Sequence, residues 1–266
     1  MTERERIVAF LRELERRSAE LELPFRFGTA YLHSQLPRVW SRNYLVADTD
    51  LDEASVEALA DEANRILGEA GMRHRKVELY DEEAGARLEP GFRELGWDVH
   101  CDVLMVARLE PDRPADLAQA EEVSIEELEP VWAEGIRSEP FGKDEEVVRQ
   151  LVANKRVVVA AIDTTFFAAR IDGVVASYCD LYSDGSTGQI EAVMTLERFR
   201  NRGLARATVS SALAASRAAG NDLTFLMANR DDWPKELYRK LGFDEIGRVY
   251  EFVRPPQTSV AATPEL

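Results

Sequence analysis

The chain has 266 residues, 45% of them apolar and 31% charged, enough for one large domain or two of ordinary size. Its 33 Lys and Arg face 49 Asp and Glu, a formal charge of −16, so most of the surface repels phosphate backbones and no nucleic-acid partner is expected. No apolar run reaches the roughly 20 residues of a membrane span, no signal-peptide core opens the chain, and two cysteines, Cys101 and Cys179, build no disulfide framework, so no membrane and a cytoplasmic location are expected.

Ile7, Phe10, Leu11, Leu14 and Leu21 recur at helical spacing, and Pro24 is expected to end that first helix. Strands are expected at 27–33 and 39–47, then a helix from about Asp52 to Glu69, a strand at 74–80, a helix at 83–95 and a strand at 99–109. The polar, proline-bearing stretch 111–120 reads as a linker. Helices follow at 124–136 and 143–153, then strands at 156–162, 165–171, 174–182 and 187–195. A helix at 203–219, a strand at 222–228, a helix at 232–241 and a strand at 246–254 complete the pattern, and 255–266 reads as a disordered tail.

Two halves repeat each other. Leu88–Arg108 aligns without a gap on Pro234–Arg254 at an offset of 146 residues, with Leu95-Gly96-Trp97 over Leu241-Gly242-Phe243. A period this long points to two copies of one domain. The expected organisation is a worn domain over 1–110, a linker over 111–120, a working domain over 121–254, and the tail.

The segment with most chemistry is a strand ending at Thr195, a basic turn holding Arg198, Arg200 and Arg202, and Gly203 opening a long helix. A helix N-terminus leaves about four amides unpaired and carries roughly half a positive charge, which suits a diphosphate. Gly203 lets such a ligand approach the backbone with no Cβ in the way. Neither G-x-x-x-x-G-K-[ST] nor G-x-G-x-x-G occurs, so ATP-loop and dinucleotide readings have no support. No G-x-S-x-G occurs either. His33, His74 and His100 are too scattered for a metal triad, and Cys179 sits in a core pattern, so no metal is expected.

Arg200-Asn201-Arg202-Gly203-Leu204-Ala205 fits [RQ]-x-x-G-x-[GA], and Leu237-Tyr238-Arg239-Lys240-Leu241-Gly242-Phe243 follows after one more strand. In this the chain resembles the GNAT superfamily of acyl-coenzyme A-dependent N-acetyltransferases, over roughly residues 121–254. The resemblance implies an α/β (α+β) chain of two GNAT-like units, each a mixed, mostly antiparallel sheet flanked by helices. It implies acetyl-coenzyme A as acyl donor and a small-molecule or peptide amine as acceptor. The backbone of Val193, Met194 and Thr195 would pair with pantetheine. The amides from Arg202 through Gly203, Leu204, Ala205 and Arg206, with the side chains of Arg200 and Arg202 and the turn at Asn201, would hold the pyrophosphate. Asn229 would touch pantetheine, although the insert Asp231-Asp232-Trp233-Pro234 lengthens its spacing to Tyr238.

Tyr238 is the expected general acid for the leaving thiolate, and Glu191 the expected base, directly or through a water. In the first half Phe92 stands for Tyr238, and Asp48, Asp50, Asp52 and Glu53 stand where a basic turn is needed. A catalytically silent acyl-coenzyme A sensor and an aminoacyl-tRNA-dependent transferase are the alternative readings. The residues leave open the acceptor, the acyl length and the oligomeric state, a homodimer included.

Overall fold

The computed structural model describes residues 1–256; the expected tail falls outside them from residue 257 on. The helices are α1 Glu3–Ser18, α2 Val56–Glu69, α3 Glu82–Glu94, α4 Ile125–Ser138, α5 Glu145–Ala161, α6 Leu204–Ala218 and α7 Pro234–Lys240. The strands are β1 Leu21–Phe25, β2 Gly28–Leu32, β3 Tyr44–Ala47, β4 Arg75–Leu79, β5 Asp98–Ala107, β6 Ala120–Val123, β7 Asp163–Ile171, β8 Val174–Ser183, β9 Thr187–Thr195, β10 Leu223–Asn229 and β11 Phe243–Arg254. Among the described residues no helix is long and apolar enough to cross a membrane.

By packing, the chain divides into two units, Met1–Ala19 with Cys101–Val249 and Glu20–His100 with Tyr250 onward. This division runs differently from the expected one at 110–121. α1 and most of β5 belong with the C-terminal elements, while the end of β11 pairs antiparallel with β4, Tyr250 opposite Leu79 and Arg254 opposite Arg75.

The unit holding residues 101–249 carries the strand order β6-β7-β8-β9-β10-β5, antiparallel except for the parallel pair β9–β10. Its core gathers Val103, Met105, Cys179, Leu181, Ile190, Val209, Ala212, Leu226 and Phe243. Small residues bring α6 down onto the sheet: Thr208, Ala212 and Ser216 are fully buried, and a Cβ on Gly188 would lie 2.4 Å from the Ser216 hydroxyl. On α1, Phe10 meets Phe225 edge-on at 5.5 Å, and Arg6 bridges to Asp222 at 2.6 Å.

In the other unit β1, β2 and β3 are antiparallel, β3 and β4 parallel, and α2 and α3 pack on them. The two aligned segments share local packing. Phe92 meets Trp97 at 5.1 Å and 61°, and the residues 146 positions on, Tyr238 and Phe243, meet at 6.2 Å and 63°. Gly96 and Gly242 both adopt positive φ, +73° and +93°, ending α3 and α7 alike.

Several expected boundaries move. The first helix stops at Ser18, not Pro24, and Leu21–Phe25 is a strand that tolerates Pro24 because it lies at a sheet edge. Trp40–Arg42 is a single 3-10 turn, and only Tyr44–Ala47 of 39–47 is extended. Within the stretch 111–120, residues 117–119 form a 3-10 turn and the strand β6 begins at Ala120, while most of its side chains are exposed. Residues 156–161, expected as a strand, continue α5 instead. Their Val-rich composition favours a strand, but Val148, Lys155, Val158 and Ala161 fall on one helical face, and burial of that face outweighs local preference.

Candidate active site

Strands β9 and β10 pair only from Thr187 opposite Leu223 to Ile190 opposite Leu226, although β9 runs on to Thr195 and β10 to Asn229. Beyond Ile190 they part. The cause lies in β9, where Ala192 adopts φ +54° and the register against β8 slips between Tyr178–Met194 and Asp180–Glu191. A bulge of this kind bends the strand and increases its twist. The edge of β9 that faced β10 is thereby released at Glu191–Thr195. Val193 and Thr195 are half-buried and Met194 is exposed, while the Met194 carbonyl accepts from the buried Ser177 hydroxyl at 2.8 Å.

The open edge leads to the basic turn. A 3-10 turn over Glu197–Phe199 is followed by Asn201 at φ +63° and Gly203 at φ +80°, the latter facing open space. The first intrahelical bond of α6 runs from the Ala207 amide to the Gly203 carbonyl at 3.1 Å, so the amides of Leu204, Ala205 and Arg206 have no acceptor within the helix, and no side chain caps it. Arg198 and Arg202 flank the Phe199 ring at 4.9 and 5.6 Å, and Arg200 reaches back to the Thr195 carbonyl at 3.4 Å. Among the described residues none of these three arginines pairs with a carboxylate, in a chain where most arginines do. Arg206 differs: it is buried and bound to Asp112 at 2.8 Å, which leaves only its amide for a ligand.

Tyr238 on α7 is buried, and burial pushes its phenol above the ordinary range, with the nearby Glu191 charge adding to the shift. Glu191 is half-buried on β9. Burial raises its carboxyl, Asp180 and Asp102 push the same way, and the Ala192 amide and Lys155 oppose. The Gln189 side-chain amide donates to Glu191 Oε2 at 2.9 Å. Thus α7 and β9 bring the two expected proton-transfer groups within electrostatic reach of each other. Asn229 closes β10, and its Oδ1 accepts from the Asp231 amide at 2.8 Å.

Beside this cleft lies a pocket of about 530 Å³, lined by Trp132, Phe141, Leu151 and Tyr178 together with Ala192, Met194, Thr195 and Arg200. Its wall includes Lys155, whose Nζ sits 2.5 Å from Asp180 Oδ2 and 5.1 Å from the Trp132 ring centroid. Asp180 is fully buried, pairs across the sheet with Glu191, and also accepts from the Tyr182 hydroxyl at 3.1 Å. Sequence reading missed Lys155 and Asp180. The available signals were an aspartate inside the apolar run Tyr178–Tyr182 and a lysine in phase with Val148 and Val158 on the apolar stripe of a helix.

In the other unit the matching features differ. The turn between β3 and α2 carries Asp48, Asp50, Asp52 and Glu53, and the Ser55 hydroxyl caps α2 by accepting from the Ala58 amide at 3.2 Å. Phe92 is fully buried and stacks on Phe252 at 4.1 Å.

Residues 173–253, which span β8 to β11, match the model of the FR47-like protein family. A functionally unknown conserved protein from Staphylococcus epidermidis superimposes with a TM-score of 0.64 at 17% identity, covering 89% of this chain and 94% of its own. A GCN5-related N-acetyltransferase from Kribbella flavida gives 0.63 at 22% identity, covering 95% of each chain. The chain has the GNAT fold. A tandem GNAT protein from the clavulanic acid biosynthesis pathway gives 0.51 at 15% identity, covering 80% of this chain and 75% of its own. No curated protein matches the chain in sequence.

Proposed function

We propose that the unit holding residues 101–249 is an acyl-coenzyme A-dependent N-acetyltransferase that moves an acetyl group directly to a small-molecule or peptide amine. The carrying observation is the continuity of the parted β9 edge with the uncapped start of α6 beneath three unpaired arginines. On this reading pantetheine lies along Val193–Thr195 as an added strand, and the diphosphate sits on the amides of Arg202–Arg206 near Arg200 and Arg202. Charge-assisted bonds of this sort contribute about 1.5–3 kcal/mol each.

Glu191 takes the proton of the attacking ammonium, directly or through a water, and Tyr238 protonates the departing thiolate. A phenol held above its ordinary pKa keeps its proton at neutral pH, which suits an acid, and a carboxyl raised by burial is a better base than a free one. The amide of Val193 would polarise the thioester carbonyl. The other unit, a worn copy in this reading, is structural.

Titration calorimetry with coenzyme A tests the placement. The parent should bind, and Gly203→Glu, which sets bulk and negative charge in the cradle, should lose binding while keeping its circular dichroism spectrum. Unchanged affinity in that variant refutes it. Binding without turnover on any amine, with Tyr238→Phe indistinguishable from parent, would instead identify a sensor.

A further inference from the structure

We propose that Lys155 is a self-acylation site: the unit transfers an acetyl group from its bound thioester to its own lysine. This rests on the acyl-transfer reading above. The chain has only five lysines against 28 arginines, and one of the five lines the pocket that also exposes Ala192, Met194 and Thr195 of β9. An amine and the expected path of the thioester therefore share one cavity. The Lys155 side chain keeps 18% of its surface open, whereas its partner Asp180 keeps none.

The chemistry balances within this constellation. The Lys155 ammonium carries three protons. One passes to Asp180 Oδ2, which lies 2.5 Å away. The freed lone pair attacks the thioester carbonyl carbon, the C–N bond forms, and the C–S bond breaks. A second proton leaves the nitrogen with the departing thiolate, which becomes the free thiol, and the third stays on the new amide. The ion pair becomes an amide beside a carboxylic acid. Both states are net neutral, so no unpaired charge is left buried. Burial already favours a protonated Asp180. Acetylated Lys155 no longer places a cation over Trp132, and the added acetyl group fills part of the pocket.

The test incubates the purified full-length chain with acetyl-coenzyme A and no acceptor, followed by peptide mass spectrometry over time. Lys155 should gain one acetyl group at least about tenfold faster than the exposed Lys143 and Lys240, since both reactants are held in one cavity. The rate should not depend on protein concentration. Lys155→Arg should bind the coenzyme and lose the mark, and Asp180→Asn should slow it, with thermal unfolding run alongside to show that the variant is folded. Coenzyme binding with Lys155 no faster than the surface lysines overturns the proposal, as does a rate proportional to protein concentration. Absence of coenzyme binding overturns the transferase reading and this one with it; binding with Lys155 untouched overturns this one alone.

Discussion

His74 shows how a single buried group ties stability to pH. Its ring stacks on Trp40 at 5.3 Å, its Nε2 donates to the Asn43 carbonyl at 2.7 Å, and burial lowers its pKa to about 4 from 6.5. Between those values the unfolded chain holds a proton that the folded chain does not, so stability falls as the solution is acidified through that window. The full loss is about 3 kcal/mol, of which about 2 kcal/mol should appear between pH 7 and pH 5. Urea unfolding at the two pH values should give that difference for the parent and a smaller one for His74→Gln; equal slopes would refute it. Tyr238→Phe keeps the ring that packs on Phe243 and removes the proposed acid. It should lower kcat by about 10²–10⁴-fold at nearly unchanged coenzyme affinity. Because Glu191 is raised, the acidic limb of the rate profile should lie above the ordinary carboxylate range and vanish in Glu191→Gln.

At the scale of elements, α5 explains both an error of sequence reading and an omission from the site. The run 156–162 is β-branched and looks like a strand, but its phase with Val148 makes it the last two turns of a helix. Taking it for a strand hid the fact that Lys155 faces the sheet. The glycine turn, α6 and α7 were legible because each rests on local signals: helical periodicity and a glycine where the turn needs positive φ. The parting of β9 from β10 was not, since it follows from a bulge at Ala192, a residue with no marking preference for φ +54°. The Lys155–Asp180 pair was hidden for a different reason, because it joins two elements whose residues lie 25 positions apart. Removing one member strands the other charge in the interior. Lys155→Met should therefore cost about 3–5 kcal/mol in chemical denaturation, and Lys155→Met with Asp180→Leu should recover much of it. A double variant as weak as the single one would show that the pair does not set this energy.

Across the whole molecule, the two units carry turns of opposite charge. The start of α6 offers uncapped amides under Arg198, Arg200 and Arg202, while the start of α2 is already capped by Ser55 and preceded by four carboxylates. An anionic diphosphate gains from the first and is repelled by the second; at 4 Å each unit-charge contact in a partly solvated site is worth about 4 kcal/mol, favourable at the first turn and unfavourable at the second. The acidic remainder of the chain, net −16, adds no attraction elsewhere. Coenzyme A should therefore bind once per chain. Calorimetry on the full chain should return a stoichiometry near one that falls to none in Gly203→Glu, while Ser55→Gly, which removes the α2 cap without adding charge, should leave it at one. A second binding event, or one that survives Gly203→Glu, would mean that charge at these turns does not decide which unit holds the ligand.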